Sequence, residues 1–267
     1  MDSLLLWIVA FTALGGIFSV AGAGLFLVLP RPLANRILPS LVSFAIGALL
    51  GAAFLGLLPH ALENPYVTDS HDITFTVLIG LLLFFVLEKL VLWRHCHHAD
   101  CEAHGTEHAH DHAHNNNQDK VAGKLILIGD AMHNLVDGVL IAGAFMVDEH
   151  LGIVTALAVI AHEIPQEVGD FAILLQGGMS RGRAFLFNAL SSLTSIIGGV
   201  AAYFFLSGTE RIVPYVLALA ASSFIYIAVA DLIPGLHKRV AASETAAQVT
   251  LIALGVTVIY FAHSTLH

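Results

Sequence analysis

The chain has 267 residues, a formal charge of −9 and a mean hydropathy of +0.82, with 57% hydrophobic residues and only 12% charged ones. Ordinary soluble domains carry about 25% charged residues, so a water-soluble globular protein is excluded. Eleven basic residues against twenty acidic ones leave no surface for nucleic acid. The expectation is an all-α polytopic membrane protein, with residues 1–267 forming a single transmembrane domain embedded in a lipid bilayer.

A bilayer core of about 30 Å needs roughly 20 apolar residues per helix. Eight such stretches can be drawn, at about 4–29, 39–62, 73–93, 121–146, 151–177, 184–206, 212–235 and 247–264. The first has no basic flank before it and is too long for the apolar core of a signal peptide, so it reads as a retained helix. The second ends in LLPHALE, which puts His60 and Glu63 at its outer end, either to collect ions or as an ordinary polar helix end.

Between the third and fourth stretches lies the one long polar segment, 94–120, which holds half of the sixteen histidines and both cysteines, Cys96 and Cys101. Its HCHHADC and HGTEHAHDHAHNNN strings cannot bury enough apolar surface to fold alone, but they offer many weak sites for zinc-like ions. The alternative is a spacer of drifted composition. On the cytosolic side, where the charge distribution places this loop, thiolate–metal contacts are favoured over disulfides.

The fourth and fifth stretches each carry polar groups at their centre, and such groups at that depth are functional candidates by default. Helical neighbours share a face at spacings of three and four, so Asp130, His133, Asn134 and Asp137 fall on one face of the fourth helix. His162, Glu163, Gln166, Glu167 and Asp170 do the same on the fifth. The midpoints of 121–146 and 151–177 lie near residues 133 and 164, so antiparallel packing brings the two faces to one depth. Imidazole nitrogens and carboxylate oxygens are the ligands that a divalent ion of borderline hardness takes. Pro165 sits among them, kinks its helix and frees the carbonyl of Ala161.

In the sixth stretch Asn188, Ser191, Thr194 and Ser195 are all neutral, and in the seventh Asp231 lies toward the inner end. Asp130 and Asp170, with Asn188, could pass an ion inward; Asp231 could join them but reads more readily as an interfacial helix end. Gly15, Gly16 and Gly22, Gly47 and Gly51, and Gly198 and Gly199 read as points of close helix approach. Ten of the eleven Lys and Arg residues fall in loops on one side, Arg211 being the exception. That side is therefore the cytoplasm, and both termini face outward.

The strings HNLVDG and HEIPQEVGDF resemble the fourth- and fifth-helix signatures of the ZIP (Zrt/Irt-like) family of metal transporters. The eight stretches, the outward termini and the His-rich loop after the third helix extend the resemblance over nearly the whole chain. It implies import of zinc into the cytoplasm as substrate, with iron, manganese and cadmium as further candidates. The setting implied is the cell membrane, or the inner membrane of a Gram-negative cell, with association as a homodimer open. By position, His133, His162, Glu163 and Gln166 resemble a first metal site, and Asn134, Asp137, Glu163 and Glu167 form or border a second.

Departures from the pattern concern affinity and occupancy. Gln166 stands where many relatives have His or Glu, and an amide is the weaker ligand. Ala52 and Gly56 stand where some carry Asp and His, and the sixth helix lacks a carboxylate. Two other functions compete. An intramembrane zinc hydrolase needs H-E-x-x-H, whose second imidazole is here Gln166. A metal exporter shares the His-rich loop, but the chain has no cytosolic C-terminal domain. No Walker P-loop pattern is present, so direct ATP use is not expected.

Overall fold

In hydrocarbon every backbone amide must be satisfied within the protein, and for an apolar stretch the helix does this alone. A computed structural model describes residues 3–95, 116–237 and 241–266, and among these the chain forms helices and no strand. Helices α1 (Ser3–Val28), α3 (Ser70–His95), α4 (Asn116–Val147), α5 (Glu149–Gln176), α6 (Arg181–Leu206) and α8 (Ala242–Leu266) are continuous. Helix α2 runs over Arg31–Gly51, a π-helical turn at Ala52–Leu57 and a last turn at Leu58–Leu62. Helix α7 is built in the same way from Val213–Tyr226, a π turn at Ile227–Leu232 and Ile233–Leu236, after a 3₁₀ turn at Glu210–Ile212. Among the described residues, eight helices are thus long and apolar enough to cross a membrane.

The helices overrun the apolar stretches at several ends. α2 starts at Arg31 rather than near 39, and α4 at Asn116 rather than near 121. Hydrophobic length measures the crossing of hydrocarbon, whereas a helix continues into the headgroup layer. Pro30 in extended conformation precedes α2, and a proline in the first turn costs no hydrogen bond there. The His-rich tract at 96–115, with Cys96 and Cys101, lies outside the described residues, as do Lys238 and Arg239.

Acidic caps mark one membrane face. Asp148 accepts from the backbone N–H groups of His150 and Leu151 at the start of α5. Asp69 accepts from the N–H of His71 beside the start of α3, and that bond holds its carboxyl below the usual carboxylate range. The two π turns share a cause that the sequence contains. Each is followed at its second position by a proline, Pro59 or Pro234, whose ring displaces the carbonyl four residues back. Widening to i→i+5 bonding accommodates the loss.

The helices pack in two groups, one of α1, α4, α5 and α6, the other of α2, α3, α7 and α8. Glycine sets the closest approaches within each. A Cβ on Gly138 of α4 would stand 1.9 Å from the carbonyl oxygen of Ser195, and one on Gly198 of α6 would stand 2.0 Å from that of Leu135. In the second group Gly47 and Gly255 do the same across α2 and α8, at 2.0 Å from the Ile252 oxygen and 2.4 Å from the Phe44 oxygen. Gly15, Gly16 and Gly22 seat α1 on Ile160, Ser192 and Ile164 of its neighbours. The groups meet chiefly where α5 packs on α2 and α4 on α7.

Candidate metal site in the membrane

α4 is clamped on one side by α6 and faces α5 on the other, which turns its three-and-four polar stripe into the interface. There His133 and Asp137 of α4 meet His162 and Glu163 of α5, with one ligand atom from each all within 4.8 Å of one another. The Nε2 atoms of His133 and His162 are 3.2 Å apart. Asp137 Oδ2 lies 3.6 Å from His133 Nε2 and 3.3 Å from His162 Nε2, and Glu163 Oε1 lies 3.6 Å from His133 Nε2. With metal–ligand bonds of about 2.0–2.1 Å, the edge of a tetrahedral zinc shell is roughly 3.3 Å. The cluster has that size.

Its hydrogen bonding points to a cation. His162 Nδ1 sits 3.0 Å from the carbonyl oxygen of Ala158, which only accepts, so Nδ1 carries the proton and Nε2 presents a lone pair. That lone pair faces a carboxylate oxygen. Both oxygens of Asp137 and both of Glu163 are buried without a hydrogen-bond donor. Buried acceptors facing acceptors are costly unless a positive charge lies between them. Two carboxylates match the charge of one divalent ion.

The other candidates occupy different positions. The Asn134 amide donates to Asp130, to its backbone oxygen at 3.2 Å and to Oδ1 at 2.9 Å. The Ser191 hydroxyl of α6 also donates to Asp130, through a short bond to Oδ2. Asn134 is thus turned away from the four-residue cluster. Glu167 is fully buried one turn beyond Glu163, and both its oxygens lack a donor; on α6 the Asn188 amide oxygen lacks a donor and its nitrogen an acceptor. Gln166 lines a 410 Å³ cavity with Asp130, His133, Pro165, Asp170 and Asp231. A second cavity of 310 Å³ reaches His133 and Asp231 past Glu88, Met132 and Tyr226. Glu88 accepts a short hydrogen bond from the Tyr226 hydroxyl. An ionisable residue within the third apolar stretch was its signal, which the spacing argument does not use.

Among the described residues, two cavities reach the cluster from the same side. His133 keeps 23% side-chain exposure, against 1% for Asp137 and His162, and it is the ligand that both cavities touch. The cavities lie toward the side on which α4 starts and α5 ends. On the other side Leu140, Ile141, Phe145, Leu151, Val154 and Val159 are buried together.

A donor set of this kind, between two membrane helices in a bundle of eight, can be placed among known proteins. The family described as ZIP Zinc transporter matches over residues 4–263. The chain belongs to the ZIP family. Among similar ZIP proteins, the zinc transporter ZIP13 of Pongo abelii is 31% identical over 233 residues, covering 83% of this chain and 65% of that protein. The zinc transporter zipt-7.1 of Caenorhabditis briggsae is 32% identical over 283 residues, covering 88% and 71%. The zinc transporter ZIP13 of Gallus gallus is 29% identical over 304 residues, covering 93% and 83%. The match thus spans just under two thirds of the first relative and more of the other two. The helical bundle of long apolar spans is consistent with that family.

Proposed function

We propose that this chain imports zinc into the cytoplasm through the α4–α5 cluster, with the full chain acting as one transport domain, His133, Asp137, His162 and Glu163 as first ligands and Asn134, Gln166 and Glu167 as the polar groups bordering them. The observation that carries this is the set of buried, donor-less carboxylate oxygens facing two imidazole Nε2 atoms at the spacing of a coordination shell. Iron, manganese and cadmium share enough of that ligand chemistry to be further substrates. The positive-inside distribution of Lys and Arg supports a cell-membrane orientation with both termini outside.

The geometry suggests how an ion moves. An ion held by the four ligands leaves through the side where His133 is exposed, past Gln166, Asp170 and Asp231, toward the 94–120 loop. The reverse side must open for loading. The division into two helix groups supports rocking of α1, α4, α5 and α6 against the rest, with the site on the moving group near the boundary. The membrane potential favours inward flow by about 2.3 kcal/mol per charge per 100 mV.

Radioactive zinc uptake into liposomes carrying the protein in known orientation tests the reading. The expected result is uptake toward the loop side that His162→Ala abolishes. Flux only in the opposite sense would favour the exporter. Absence of flux together with zinc-dependent peptide cleavage would favour the hydrolase.

A further inference from the structure

Away from the metal cluster, the starts of α2 and α8 enclose a pocket of mixed charge. The two helices touch backbone to backbone where Gly47 meets Ile252 and Gly255 meets Phe44. Toward their starts a 380 Å³ cavity lies between them, lined by Arg36, Ser40 and Ser43 of α2 and by Ser243, Glu244 and Gln248 of α8. That volume falls within the roughly 300–1,000 Å³ of small-ligand sites. From Gly47 to Arg36 the helix rises about 16 Å, so the cavity reaches the end of the span, where hydrocarbon gives way to head groups. None of these six residues lines the two cavities at His133 or belongs to the metal cluster.

Its polar groups are of both signs. Arg36 brings five N–H donors and a fixed positive charge. The Gln248 Nε2 atom is buried and lacks an acceptor among the described residues, so it too calls for a negatively polarised oxygen. Glu244 brings a carboxylate to the same cavity. The buried Ser43 hydroxyl donates its proton to the carbonyl oxygen of Pro39 at 2.8 Å, which leaves that oxygen as an acceptor only. A simple anion meets the Glu244 carboxylate here, and a simple cation meets Arg36. A group that carries both charges matches the lining.

The apolar part of the wall continues into lipid. Leu251 lines the cavity, and Leu254 and Val258, three and seven residues on, lie on the same side of α8 and are exposed. Only 11% of the apolar window of α8 is buried.

We propose that the α2–α8 cavity binds the head group of a phospholipid with a primary ammonium, of the phosphatidylethanolamine kind. Arg36 and Gln248 take the phosphate oxygens, Glu244 and the Ser43 oxygen take the ammonium, and an acyl chain lies along Leu251, Leu254 and Val258. A lipid held there joins the starts of two helices of one packing group. The tie crosses no boundary between the two groups.

Native mass spectrometry of the full-length chain, titrated in detergent with lipids of matched acyl chains, tests this without reference to metal or transport. Phosphatidylethanolamine should bind about tenfold more tightly than phosphatidylcholine, whose quaternary ammonium has no N–H to donate, and than phosphatidylglycerol, which has no cation. Arg36→Gln should weaken phosphatidylethanolamine about tenfold, and Glu244→Gln should erase its advantage over phosphatidylglycerol. Both side chains are exposed, so both variants should melt with the parent. Equal binding of the three lipids by the parent chain, which needs no variant to interpret, would overturn the proposal. So would a preference for phosphatidylethanolamine that survives both substitutions. Binding of soluble glycerophosphoethanolamine as tight as that of the lipid would overturn the assignment to a membrane lipid.

Discussion

Helices α4 and α5 differ from α3 and α8 in what they leave to lipid. About half of the apolar window of α4 and α5 is buried, 44% and 61%, against 11% in both α3 and α8. Yet it is the buried pair that carries the cluster of imidazoles and carboxylates, while the middle of the lipid-facing pair is almost wholly apolar. The two least apolar spans, α4 and α5, are thus far more buried than α3 and α8, the reverse of a soluble core. Burial here isolates charge from hydrocarbon and from water alike, so that in the proposed function a bound ion takes the place of the missing partners.

The contrast predicts where substitutions act. The largest effects should come from the cluster. Since losing a group that merely supports a ligand costs about 10–100-fold, His133→Ala, His162→Ala or Glu163→Ala should each lower zinc uptake by at least that much. Leu82→Ala on α3 and Val249→Ala on α8, which are 53% and 60% exposed, should leave uptake unchanged and stability within about 0.5 kcal/mol. Parent-like uptake by both His133→Ala and Glu163→Ala would remove the distinction between the helix pairs.

Next in size is the backbone contact behind α4. Gly138→Ala must push α4 from α6 and should lower thermal stability in detergent by about 1–3 kcal/mol equivalent. Gly182→Ala, with nothing within 4 Å of the added carbon, should be neutral or stabilising by up to about 1 kcal/mol. Equal melting of the two variants would mean that the α4–α6 contact is looser than described.

A subtler change is expected at Gln166, which faces the cavity rather than the four-ligand cluster. Gln166→His or Gln166→Glu should tighten binding, slow release and shift competition among zinc, cadmium, iron and manganese, without abolishing transport. Competition profiles identical to the parent would take Gln166 out of the route. The smallest effect should follow removal of residues 104–114, in the polar segment between the third and fourth apolar stretches. Uptake rate should hold while metal retention changes, and loss of uptake at normal membrane levels would place the loop in the path.

The eight crossings were legible because hydrophobic length has few readings in a bilayer. The polar faces of α4 and α5 followed from spacing alone. Which members of those faces converge did not follow, because Asn134 is drawn off by Asp130, and Asp130 in turn by Ser191 of another helix. Pairing of that kind depends on the rotation of α6 about α4, which two glycines set and no periodicity reveals. The π turns were signalled by Pro59 and Pro234, but a proline in a span also reads as a simple kink. His60 was visible at a helix end, whereas its neighbour His263 required α8 to be laid beside α2.

The crossing of α4 and α6 at Gly138 and Gly198 has a mechanical meaning as well. Helices normally slide past one another by letting side chains hop between alternative grooves, and that lubricating layer is missing where one backbone rests on another. α4 and α6 therefore behave as a single plank. Any stroke that carries His133 and Asp137 from one face toward the other must carry α6 along, so the load moved in each cycle is at least two helices thick.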